Sequence, residues 1–80
     1  MDREQKMSYK NHTVICSANR DTIGFIPLAM VSWTPPGVGT TTIFIRTPKT
    51  YPSEKAAMAA ALQEAKSWID NHLTHNTAVL

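Results

Sequence analysis

Cysteine is nearly absent from this chain. Cys16 stands alone, so no internal disulfide can staple the fold. A domain of 80 residues without staples has a small core, because it buries roughly 60% of the surface its unfolded chain exposes. A lone thiol in a run of β-branched residues reads as a small buried hydrophobe, suited to a reducing compartment. Charge of one sign is also missing. The basic residues Arg3, Lys6, Lys10, Arg20, Arg46, Lys49, Lys55 and Lys66 are scattered, and the net charge is only +2. That pattern offers no basic patch for nucleic acid. No stretch approaches the ~20 apolar residues of a membrane span. The opening residues Met1–Lys6 lack the apolar core of a secretory leader. The expectation is a cytoplasmic protein with no membrane partner.

What is present is one strong helix signal. Ser53 precedes Glu54 as an N-cap, and an alanine-rich run follows through Leu73. Met58, Ala61, Leu62, Ala65, Ile69, His72 and Leu73 fall on one stripe at helical spacing. The spacing predicts a helix over 53–73, with Trp68 at the flank of the stripe.

Upstream the pattern is extended. Residues 8–18, 23–33 and 40–47 are rich in β-branched and aromatic residues. Asn19, Asp21 and Gly24 supply turn chemistry after the first run. Pro27 lacks an N–H, which moves the expected start of the second strand to Leu28. The prediction is an α+β domain over residues 8–73: a three-stranded antiparallel meander packed against one long C-terminal helix, in the order β-β-β-α. Residues 1–7 and 74–80 read as flexible tails.

The stretch "TPPGVGTTT", residues 34–42, has the glycine content of a phosphate loop. Its glycines are two apart, no lysine follows until Lys49, and a strand rather than a helix comes next. Pro36-Gly37 instead suits the central pair of a type II turn. The three histidines His12, His72 and His75 lack an evident thiol or carboxylate partner for a metal site. Cys16, His12 and Asp21 form no recognisable triad, and so small a fold offers no deep cleft. The expectation is no enzyme, no cofactor, no metal and no small-molecule substrate.

Alternation sorts the strands into faces. Ala29, Val31 and Trp33 share one side of the second strand; Leu28, Met30 and Ser32 share the other. On the third strand Ile43 and Ile45 oppose Phe44 and Arg46. One helix covers one face, yet both faces are apolar. Which set meets the helix stays open. The candidate interaction surface is Leu28, Met30, Phe44 and Arg46, and a protein partner or a homodimer would cover it. The alternative occupant is nucleic acid, read by Phe44 and Tyr9 with Arg46 and Lys10 alongside. The strand order resembles the later part of double-stranded-RNA-binding domains, but the lysine cluster that opens their last helix is reduced here to Lys55.

A family resemblance rests mainly on the helix. Its opening Ser53-Glu54-Lys55-Ala56-Ala57 and its later Ala65-Lys66-Ser67-Trp68-Ile69-Asp70 resemble a group of small uncharacterised bacterial proteins. That resemblance implies a β-meander-plus-helix fold in a bacterial cytoplasm and no established activity. Pro36-Gly37-Val38 and Ser53-Glu54-Lys55-Ala56 are also similar to parts of HicB-type antitoxins. A full strand separates the two motifs here, and no DNA-binding tail motif follows residue 73.

Overall fold

The computed structural model describes residues 4–78, with side chains as far as Thr74. Four strands precede one helix: β1 (Glu4–Tyr9), β2 (His12–Asp21), β3 (Gly24–Trp33), β4 (Thr41–Arg46) and α1 (Glu54–Ala78). They form one antiparallel sheet in the order β1-β2-β3-β4. The α+β class, the meander and the C-terminal helix are as expected. The strand count is not: the sheet has four strands rather than three.

The extra strand comes from dividing the first extended run. Lys10 and Asn11 both have positive φ, 48° and 65°. They form the two-residue turn that matches the twist of a hairpin, with Tyr9 paired to His12. Asparagine tolerates this left-handed geometry; lysine seldom marks it, so the turn carries little sequence signal. Glu4–Met7, expected in a flexible tail, therefore belong to β1. At the other end α1 runs on past Leu73 to Ala78. Residues 1–3 and 79–80 of the two expected tails lie outside the described residues.

The next turn is also tighter than expected. Asn19–Asp21 stay in β2, and only Thr22 and Ile23 separate the paired residues Asp21 and Gly24. Pro27 does not delay β3 either. Phe25 and Tyr51 exchange backbone bonds of 2.9 and 2.8 Å, so Phe25 points its polar groups away from β2. Two-residue periodicity turns Pro27 the same way. There it falls just beyond β4, whose last residue, Arg46, pairs with Leu28. No ladder bond is lost.

Gly24 is needed for the Phe25–Tyr51 bridge. A Cβ there would stand 2.6 Å from the Tyr51 carbonyl oxygen. The "TPPGVGTTT" loop is the turn expected of it: Val38 N–H donates to the Pro35 carbonyl at 3.2 Å, and Gly37 has φ 75°. Proline presets the first central φ and glycine supplies the positive second.

The helix begins at the predicted cap. Ala56 N–H donates to Ser53 Oγ at 3.1 Å, the N-cap to N3 bond. Ala57, Ala61, Ala65 and Ile69 recur every fourth residue and are fully buried or nearly so. Small side chains let α1 lie close on the sheet. Ala61, Ala65 and Ile69 join Val14 and Cys16 of β2 and Ala29 and Val31 of β3 in the main core, while Ala57 packs with Ala18 and Met58 beside it. Burying a valine- or isoleucine-sized side chain contributes about 1.5–3 kcal/mol, so these few residues carry much of the stability. The contacts settle the open register question: Ala29, Val31 and Trp33, with Ile43 and Ile45, face the helix.

Candidate interaction surface

The opposite sheet face is left bare. Register and alternation place three side-chain rows across it. Glu4, Ser17, Leu28 and Arg46 form one row; Lys6, Ile15, Met30 and Phe44 the next; Ser8, Thr13, Ser32 and Thr42 the third. All four expected surface residues lie here, and two pairs are direct cross-strand neighbours: Leu28 with Arg46, and Met30 with Phe44. Phe44 is 69% exposed, while Ile15, Leu28 and Met30 are half-buried against their neighbours. The surface is thus an apolar centre with a charged margin on each side.

The third row is a hydroxyl strip. Ser32 and Thr42 are hydrogen-bonded at 3.0 Å, and Thr34 and Thr40 continue the strip at 3.2 Å. The charged margins differ: the β1 edge carries both signs and the β4 edge only a positive one. Glu4 and Lys6 stand on the β1 edge and Arg46 on the β4 edge. Among the described residues none of the three makes an ion pair.

Glu4, Lys6 and Ile15 were missed as surface residues. The first two lay in the supposed tail. Ile15 could have been assigned from the alternation of Thr13, Ile15 and Ser17 with Val14, Cys16 and Ala18, had the Lys10-Asn11 turn been recognised.

Two residues of the nucleic-acid reading lie elsewhere. The Tyr9 hydroxyl reaches both carboxylate oxygens of Asp70, and Lys10 Nζ donates to Asp70 Oδ1 at 2.7 Å. Both therefore meet the helix rather than the bare face. Hydrogen bonding to Lys10 and then to Tyr9 lowers the Asp70 pKa, and the bond to Asp70 raises that of Lys10. Of that set Phe44 and Arg46 stay on the surface.

His12 and His72 sit at the far end of the helix-covered side. His12 is 5% exposed, and its Nδ1 donates to the Lys10 carbonyl at 2.7 Å. A carbonyl only accepts, so Nδ1 carries a proton. Among the described residues Nε2 has no hydrogen-bond partner. The His12 ring packs on Trp33, which in turn meets Trp68 and His72, with centroids 5.2–5.4 Å apart. His72 stacks on Trp68 at 4.8 Å. A shallow pocket of about 260 Å³ opens between the Lys10-Asn11 turn, Pro35-Pro36 and His72. The side chain of His75 lies outside the described ones. Among the described residues no three histidine, cysteine or acidic side chains cluster as metal ligands would. Cys16 is buried among apolar groups, which pushes its thiol pKa up. Among the described residues no helix is long and apolar enough to cross a membrane.

The fold and this surface define the class: a small α+β domain whose meander carries a helix on one face and an apolar, charge-rimmed patch on the other. Beyond that class, no protein-family model, no curated protein and no solved structure matches the chain.

Proposed function

We propose that this chain is a non-enzymatic protein-interaction module that binds through the sheet face α1 leaves bare. The observation carrying this reading is Phe44, 69% exposed at the end of the row that continues through Met30 and Ile15. An aromatic side chain left in water beside further apolar groups supplies the kind of anchor that interface centres use. A protein surface suits it better than nucleic acid. The margin carries Glu4 as well as Lys6 and Arg46, and Lys10 is held by Asp70 on the other side. A nucleic-acid-associated or antitoxin-like regulatory role is the competing reading. A reducing cytoplasm suits the buried thiol of Cys16.

The test is oxidation footprinting of Met30. In intact cells Met30 should be oxidised more slowly than in dilute purified protein, and Phe44→Asp should abolish the difference. Buried Met58 serves as the internal reference. Equal Met30 rates in both settings would overturn the proposal. Protection that vanishes on nuclease treatment would transfer the surface to nucleic acid.

A further inference from the structure

We infer that the occupant of the bare face is a second copy of this chain, packed sheet on sheet about a two-fold axis that runs parallel to the strands between β2 and β3. This rests on the proposed interaction role of that face and names its partner.

The argument is one of symmetry. A two-fold axis along the strands keeps each cross-strand row opposite itself and reverses its order. β1 then lies over β4 of the second copy. In the first row, Glu4 meets Arg46 of the second copy, and Arg46 meets its Glu4. In the second row, Ile15 meets Met30 at the centre, and Lys6 lies over the ring of Phe44. A cation over an aromatic face is itself attractive. In the third row, hydroxyl groups meet hydroxyl groups. Every charged side chain of these rows thus gains a complementary neighbour, where among the described residues it makes no ion pair within one chain.

The other in-plane two-fold axis runs across the strands. It lays β1 on β1, sets Lys6 against Lys6, and leaves Glu4 and Arg46 opposite Ser8 and Thr42. Like charges face to face disfavour that arrangement. The charge pattern therefore selects both the partner and the axis. Aligned sheets pack about 10 Å apart with strands within about 30°, which twisted sheets of this kind reach naturally.

The area is sufficient for a modest dimer. Four strands of six to ten residues at about 4.8 Å spacing and about 3.4 Å per residue present on the order of 500 Å². Two copies bury about 1,000 Å², the lower end of specific interfaces, so a reversible, concentration-dependent dimer is expected.

Sedimentation equilibrium of the purified full chain tests this. The wild type should pass from monomer to dimer as concentration rises. Glu4→Arg and Arg46→Glu should each weaken the dimer at least about tenfold, since each sets like charges together twice. Mixing the two variants should restore association, because every contact in the mixed pair is again between opposite charges. That rescue also shows that both variants are folded. A dimer indifferent to these changes, or no rescue on mixing, would overturn the arrangement. A wild type that stays monomeric at all concentrations while Met30 remains protected in cells would overturn self-pairing alone and leave the interaction role standing.

Discussion

The Tyr9 hydroxyl hydrogen-bonds both carboxylate oxygens of Asp70, at 3.0 and 3.1 Å, across 61 positions of sequence. Lys10 Nζ joins them at 2.7 Å on Oδ1. This cluster ties the β1–β2 hairpin to the C-terminal half of α1. It is half-exposed, and its value is as a clasp on an edge strand.

The clasp makes stability depend on acid in a defined direction. The Asp70 pKa is lowered in the folded state from its ordinary 3.8. Its contribution is therefore complete above pH 3.8 and is lost as the pH falls through the lower folded value. Lys10, whose pKa is raised from 10.5, contributes fully below that value and loses its part as the pH rises through the higher folded one. Asp70→Asn should lower the melting temperature at pH 7, and its melting curve should converge on the wild type's in strong acid. Coincident curves at pH 7 would show that the clasp adds nothing, and curves offset in parallel down to the lowest pH would show that the charge of Asp70 does not contribute.

Ile69 should be among the costliest truncations. It is fully buried at the centre of the core, beside alanines that cannot expand into a void. Ile69→Ala should destabilise by about 2–5 kcal/mol in urea unfolding. That is a large fraction of the roughly 4–12 kcal/mol such a chain commands. A loss below about 1 kcal/mol would mean that α1 resettles on the sheet.

Glycine replacements should rank by mechanism. At Gly24 a new Cβ meets the Tyr51 carbonyl oxygen at 2.6 Å, so Gly24→Ala must break or bend the bridge to Phe25. At Gly37 the space is open but φ is +75°, so Gly37→Ala costs about 1–2 kcal/mol from the left-handed backbone alone. Gly39 has neither constraint, and Gly39→Ala should be nearly neutral. Thermal melts of the three variants check the order. A Gly24 variant as stable as the Gly39 one would refute the close approach.

Cys16 should be silent to thiol reagents in the native protein. It is 1% exposed, and burial raises its pKa, so little thiolate is available. Labelling by a disulfide reagent at pH 8 should proceed only as the chain opens and should speed up with added urea. Rapid labelling without denaturant would place the thiol at the surface.

The legible parts of the fold are those written locally. Ser53 caps α1 because its hydroxyl reaches Ala56 three residues on. Pro36-Gly37 turns because each residue's own φ preference matches its place. The candidate surface was half legible. Alternation put Leu28 and Met30 on one side of β3, and Phe44 and Arg46 on one side of β4. The β1 half escaped notice because EQKMSY opens on three polar residues and brings only Met7 and Tyr9 to the core. Lys10 and Tyr9 were placed on the wrong surface for a related reason: their partner Asp70 is remote in sequence.

By itself, then, the sequence determined the class of fold, the helix start, the turn after β3 and the two-residue rhythm of the strands. Each follows from backbone preferences and side-chain periodicity within a few residues. Only the tertiary structure decided that Glu4–Tyr9 is a strand, that Pro27 sits harmlessly beyond β4, and that Ala29, Val31 and Trp33 turn to the helix. Alternation is unchanged when the two faces of a strand are exchanged. The choice is made by α1, which can lie close only where small side chains on both layers admit it, and the opposite face is thereby left bare.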